Sequence, residues 1–224
     1  MESIVSLKGT DRVRKRPLVF FEHLGIDGYK SAIKEIIKFS IEESGTEERR
    51  NIILNLQSDN VIKITIEGKG VQLDKHYPED DIYDWELIFT ELYGRNKLIQ
   101  KELPVENFLS GLPTTFVCAV QFCCEYMDVR VIRNCQEYKL HFEKGVNIDG
   151  LQSKRIKSDK DITEIEFRLD KDVLGEANIL DAIEYFEILL DGCSVVAYNI
   201  CFILRFYKGK YVIERAYRKG NRCR

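Results

Sequence analysis

The residues of this chain whose types could carry chemistry are three histidines, seven cysteines, two basic clusters and a Gly-Lys-Gly turn. His23, His76 and His141 lie in segments without paired motif residues, so no Ser-His-Asp or Cys-His nucleophilic centre is predicted. Cys118, Cys123, Cys124, Cys135, Cys193, Cys201 and Cys223 are odd in number and include no CxxC spacing, which argues against zinc and against a disulfide framework. Most stand in apolar segments such as FVCAVQFCC, where a reduced thiol packs as a small hydrophobe. One basic cluster is Arg12, Arg14, Lys15 and Arg16; the other is Arg215, Arg218, Lys219, Arg222 and Arg224. Binding nucleic acid needs several cations acting together on phosphates. With a net charge of -3 the chain lacks that footprint as a whole, and the clusters read as solvated surface, direct nucleic-acid binding through basic termini being an alternative. On their own, Glu35 reads as a helix charge, Gly68 and Gly70 as turn glycines, and Thr163 as a residue favoured in strands.

The elements that would position these residues follow from periodicity. Residues 29–44 place Ile33, Ile36, Ile37 and Ile41 at helical spacing among charges, which predicts an amphipathic helix. NIILNLQ and VIKITIEG, joined through Ser58, Asp59 and Asn60, predict a β-hairpin. A helix is expected over residues 82–93, and a buried helix over 116–126, which is longer than a typical buried strand. MDVRVIR, EYKLHFEKG and ITEIEFRL predict three antiparallel strands, with the lysine-rich residues 150–161 as a loop. A helix over 179–190 and a closing strand pair, ICFILRFYKG and KYVIERAY, complete the chain. Runs of helices and runs of strands point to an α+β sandwich, a mostly antiparallel sheet with helices on one face.

At 224 residues, 44% apolar and 32% charged, the chain has the composition of one globular domain. No apolar run approaches a membrane span. The opening MESIVSLKGTDRVRKRP puts charge where a signal peptide carries its apolar stretch, which predicts a cytoplasmic protein.

Longer strings carry a resemblance. It begins at LKGTDRVRKRP, whose VRKRP is similar to the opening segment of a known family, and runs through GYKSAIKEIIKFSIEES, VIKITIEGKGVQLDKH, WELIFTELYGRNKL and MDVRVIRNCQEYKLHFEKG. In these segments and their order the chain resembles the ATP-binding domain of the DNA gyrase B and topoisomerase IV B proteins, within the GHKL group. The resemblance implies a two-layer GHKL (Bergerat-type) sandwich, one domain over residues 1–224 with an N-terminal arm at 1–28 and a degenerate lid at 94–116. Nothing in the sequence corresponds to the transducer domain of the enzymes.

Carried over residue by residue, the resemblance implies a damaged nucleotide site. Glu35 occupies the general-base position, but Lys38 and Phe39 replace the Asp-Asn pair whose asparagine is a magnesium ligand. A phenyl ring offers no oxygen and an ammonium repels the cation, so no metal site is expected. Ile66 replaces the aspartate that accepts the adenine amino group, a loss of roughly 1–3 kcal/mol. The family's GGLHGVG loop becomes Ser110, Gly111, Leu112, Pro113, Thr114, Thr115 and Phe116, in which Pro113 has no amide hydrogen to offer a phosphate. Gly68, Gly70, Lys97 and Thr163 remain as residual nucleotide-binding candidates, Glu35 as a vestigial catalytic one, and Arg133 is retained by position. Phe39, Ile66, Leu112, Pro113 and Phe116 are expected to fill the cavity with apolar bulk.

The expected function is therefore a non-catalytic, pseudo-ATPase module acting by protein-protein interaction or regulation. Its arm, LVFFEHLGIDG, could dock onto a partner protein or a second copy, the competing reading being that Phe20 and Phe21 fold into the core. The alternative is a working topoisomerase-type ATPase with unorthodox residues, in which Glu35 activates water and Glu42 or Glu67 helps hold magnesium; ATP and magnesium enter as cofactors only there.

Overall fold

The computed structural model describes residues 9–45, 49–92, 94, 116–158, 160–208, 210–218 and 221–223. The N-terminal segment forms two short helices, α1 (Gly9–Lys15) and α2 (Leu18–Phe21), separated by Arg16 and Pro17. The long amphipathic helix, α3 (Gly25–Ser44), starts four residues before its predicted start and buries Ala32, Ile33, Ile36, Ile37, Phe39 and Ser40 along one side. Gly45, at φ +66°, ends it in a conformation glycine adopts readily.

The predicted hairpin is β1 (Arg50–Leu56) and β2 (Val61–Glu67), antiparallel and in register Ile52 to Ile66, Leu54 to Ile64 and Leu56 to Ile62. Asn60, left-handed at φ +61°, turns the chain, and its side chain donates to the Ala177 carbonyl at 2.8 Å and accepts from the Ile179 amide at 2.8 Å. The helix expected over 82–93 is shorter and begins later. β3 (His76–Tyr77) pairs with β4 (Ile82–Tyr83), and α4 covers only Asp84–Phe89. Glu86 sets that start by accepting the Tyr83 amide at 2.9 Å, half of a capping box.

The buried helix expected over 116–126 is corrected: α5 spans Val117–Phe122, and from Cys124 the chain is strand β5 (Cys124–Arg133). Gln121 and Glu125 are the polar residues of the segment, too few for periodicity to separate a buried helix from a buried strand. β5 pairs with β6 (Gln136–Glu143) through Asn134 and Cys135, both left-handed, as a tight two-residue hairpin requires. β7 (Val146–Asn147) follows. The expected loop at 150–161 contains a further strand, β8 (Gln152–Arg155), paired with β6; all four side chains are exposed, so its polar composition hid a backbone pairing.

β9 (Ile162–Leu169) leads into α6 (Lys171–Leu174), capped by Asp170, whose carboxylate accepts the Asp172 amide at 3.0 Å. A 3-10 turn (Ile179–Ala182) opens α7 (Ile183–Val196), and β10 (Ile200–Lys208), β11 (Tyr211–Arg218) and β12 (Asn221–Cys223) close the described chain.

Apart from the β3-β4 pair, which forms a small sheet of its own, the strands form one mixed, mostly antiparallel sheet in the order β12-β11-β10-β1-β2-β9-β5-β6-β7, with β8 also paired to β6. Among these neighbours β1 and β10 run parallel. Alternation divides the faces: Ile52, Ile64, Ile66, Thr163, Ile165, Phe167 and Phe202 are buried, while Lys63, Glu164 and Glu166 between them are only partly covered. α3 packs over β1 and β2, and α7 over β10 and β11, so the buried side chains of sheet and helices join in a continuous core.

Candidate functional site

Glu35 and Lys38 lie one turn apart on α3, and the Lys38 ammonium meets Glu35 Oε1 at 2.6 Å. Both side chains are mostly covered, 14% and 15% exposed. The other carboxylate oxygen accepts the backbone amide of Phe116 at 3.1 Å. Phe39, four residues after Glu35, is fully buried and meets Phe89 of α4 edge-on, with ring centroids 6.3 Å apart and planes at 65°.

The sheet supplies the floor. Ile66 on β2 stands opposite Thr163 on β9, which in turn stands opposite Val131 on β5; all three are buried. Thr163 Oγ1 accepts the Val71 amide at 2.9 Å, so this hydroxyl holds the segment that follows the glycine turn. Glu67 belongs to the opposite face, where its carboxylate accepts from the Asn51 side chain at 2.7 Å.

The turn itself needs its glycines. Gly70 has φ +68°, and a Cβ there would lie 2.5 Å from the Ile132 carbonyl oxygen. Gly68 has φ +149°, and a Cβ there would collide with the Arg50 guanidinium. Arg133 donates to the Gly70 carbonyl at 2.7 Å, and the Gly68 amide donates to the Asp161 carbonyl at 3.2 Å, so both ends of the turn are tied to neighbouring segments. The site residues thus fall into two groups: Gly68, Gly70 and Thr163 joined through Ile66 and Val71, and Glu35 with Lys38 and Phe39 on α3. Lys97 and the lid, apart from Gly94 and Phe116, lie outside the described residues.

Several roles were not visible in the sequence. Arg14, the first arginine of VRKRP, is no surface charge: it donates to Asp170 at 2.5 Å and to the Phe122 carbonyl at 3.0 Å. Burial raises the Asp170 carboxyl, but the Arg14 guanidinium and the Asp172 amide outweigh it and hold the group below its usual range. The basic cluster at the start therefore has one member committed to the core, which weakens its reading as a phosphate site. His141 is held between Asp128, at 2.7 Å, and Glu143, at 3.4 Å, and the Asp128 hydrogen bond raises its pKa. His76 contacts Asp81 at 3.0 Å and stacks on Tyr83. Cross-strand pairing brings Asp128 opposite His141, which no local motif could show, whereas Glu143 stands two residues further along the same strand.

Burial pushes the Cys123 thiol up to about 12, and Cys118 and Cys124 are buried beside it, whereas Cys135 is exposed at its hairpin turn. On the open face of the sheet, Glu164 pairs with Lys63 and Arg130, each at 2.8 Å, and Glu137 with Arg130 at 2.7 Å and Lys154 at 3.0 Å. Among the described residues no group of three or more His, Cys, Asp or Glu side chains is placed to hold a metal ion, and no helix is long and apolar enough to cross a membrane.

No protein-family model matches the chain. By sequence it is 27% identical over 196 residues to the DNA gyrase B protein of Treponema pallidum, covering 88% of this chain and 29% of that protein. It is 27% identical over 178 residues to the type 2 topoisomerase B protein of Aquifex aeolicus, covering 80% of this chain and 22% of that one. The chain thus spans less than a third of the curated relatives it matches. Among solved structures it is similar to the 43K ATPase domain of Thermus thermophilus gyrase B, solved with an aminocoumarin, with a TM-score of 0.75 at 19% identity over 93% of this chain and 51% of that one. It is similar also to the topoisomerase IV ATP-binding domain of Francisella tularensis, with a TM-score of 0.72 at 21% identity over 95% of this chain and 97% of that one. The chain is a relative of the bacterial gyrase B and topoisomerase B proteins, and its fold is that of their GHKL ATPase domains.

Proposed function

We propose that this domain with a gyrase-B-type ATPase fold is non-catalytic and acts by protein-protein interaction or regulation. One observation carries the reading: the carboxylate of Glu35 is engaged on both oxygens, by Lys38 and by the Phe116 amide. Each oxygen keeps a second lone pair, but a general base must be within reach of water and this side chain is only 14% exposed, while a divalent cation needs further oxygen ligands nearby. Here an ammonium is the nearest charge to Glu35, and the next position on the helix is a buried phenyl ring. Ile66 at the adenine-facing position offers no acceptor, and the Thr163 hydroxyl is engaged by the Val71 amide. A partner role is supported by the arm, where Leu18 is 53% and Val19 72% exposed while Phe21 is buried. The arm thus divides its large side chains between the core and a surface that another protein or a second copy could cover.

The test is a thermal-shift and calorimetric titration with ATP and a non-hydrolysable analogue, with and without magnesium. A ligand present at a hundred times its Kd would stabilise the fold by about 2.7 kcal/mol. The expected outcome is no shift and no heat at millimolar nucleotide. Saturable stabilisation would overturn the reading and restore a nucleotide-binding domain with unorthodox residues.

A further inference from the structure

Phe116 is the point where three elements meet. Its amide donates to Glu35 of α3 at 3.1 Å, and its carbonyl accepts from Val120 at 3.1 Å as α5 begins. Its ring meets that of Phe20 in α2 edge-on, with centroids 6.1 Å apart and planes at 79°. Each contact has its own chemistry. The carboxylate-amide bond is charge-assisted and lies at the start of a helix, where negative charge is favoured. The aromatic pair is apolar and geometrically selective. Lys38 holds the carboxylate from the opposite side, which limits the rotamers Glu35 can adopt.

Building on the reading of this chain as non-catalytic, we propose that Glu35 and Phe116 form an internal clasp that fixes the arm and α5 onto α3 without any ligand, with Glu35 as its positioning residue. The clasp links the exposed arm residues Leu18 and Val19 to the helix that carries Glu35, through Phe20 and Phe116. A partner that moves the arm therefore acts on α3 and α5, and a change at Glu35 acts on the arm. Such coupling is a free energy shared by two sites and must run both ways.

Native-state hydrogen exchange of the full chain, free of nucleotide, tests this. In the arm, the amides of Phe21 and Glu22 are protected by the carbonyls of Pro17 and Leu18. Glu35→Ala is expected to speed exchange at Phe116 and Val120 and also at Phe21 and Glu22, by about ten-fold, while β9 and β10 keep their protection. Lys38→Met, which keeps the carboxylate on the amide, is expected to change these sites less. In a Phe116→Leu background, Glu35→Ala should no longer reach the arm. If Glu35→Ala folds poorly, Glu35→Gln keeps the volume and one acceptor and should show the same pattern at smaller amplitude. Unchanged exchange at Phe21 and Glu22, or loosening spread equally into β9 and β10, would overturn the clasp. So would an effect of Lys38→Met as large as that of Glu35→Ala. The nucleotide titration decides the non-catalytic reading separately, because the clasp is scored with no nucleotide present.

Discussion

At the scale of single residues, the chemistry of this chain is mostly internal. Arg14 and Glu35 are charged residues that sequence reading assigns to surface or catalysis, and both are engaged by partners distant in sequence. For Arg14 the partner is Asp170, 156 positions away, and the pair ties α1 to the cap of α6. Removing the guanidinium leaves a buried carboxylate supported by the Asp172 amide and the more distant charge of Lys144. Arg14→Met should therefore lower the unfolding free energy by about 2–3 kcal/mol at neutral pH. Its sign with pH follows from the depressed carboxyl. A group held below its unfolded value stabilises above that value, about 3.9, and loses the contribution as pH falls through the folded pKa. Urea unfolding of wild type and variant from neutral pH into acid should show the gap closing below about pH 4. A gap of constant size would mean that Arg14 stabilises through packing alone.

At the scale of elements, the glycine turn after β2 separates retained motif from retained chemistry. Gly68 and Gly70 both have positive φ, but what a side chain would meet differs. At Gly70 it is the Ile132 carbonyl in the sheet, which cannot move without breaking strand pairing; at Gly68 it is the buried Arg50 side chain, whose rotamer can shift at smaller cost. Gly70→Ala is thus expected to destabilise by more than Gly68→Ala, the difference being about 1 kcal/mol or more, read as a lower urea midpoint at unchanged slope. Equal losses would show that backbone strain alone governs the turn. The same turn shows how much of the candidate site was legible. That Glu35 lies on a helix, Gly68 and Gly70 in a turn and Thr163 on a strand could be read because helix period, turn chemistry and strand alternation are local; that they are site candidates came from the resemblance. Their partners could not, because Phe116, Val71 and Ile132 reach them only through tertiary packing. The misjudged elements share a cause. The stretch at 116–126, apolar but for Gln121 and Glu125, has too little period to read, and the polar strand Gln152–Arg155 buries no side chain, so the signals that separate helix, strand and loop were lacking.

At the scale of the whole molecule, the fold was legible further than the function. The first long helix, its hairpin, the three central strands and the closing pair all stand where alternation and amphipathicity put them, because each buries one face against the same core. The non-catalytic reading rests on a handful of side chains inside that core, and their weight can be measured as stability. Phe39 is fully buried among the packed side chains of α3 and α4. If the site has become core, restoring the family's residue by Phe39→Asn removes an aromatic side chain and introduces a buried amide, and should cost at least about 3–5 kcal/mol. Set against a total of about 5–15 kcal/mol for a domain, that is a large part of its stability. The loss should appear as one cooperative transition shifted to lower denaturant, since Phe39 belongs to the cluster that joins helices and sheet. A Phe39→Asn protein as stable as wild type would mean that the space around α3 still accommodates a polar side chain and its water, and that the pocket has been kept open. A marginal or unfolded variant would mean that the fold depends on the aromatic side chain at this position, which would tie the non-catalytic reading to the stability of the whole molecule.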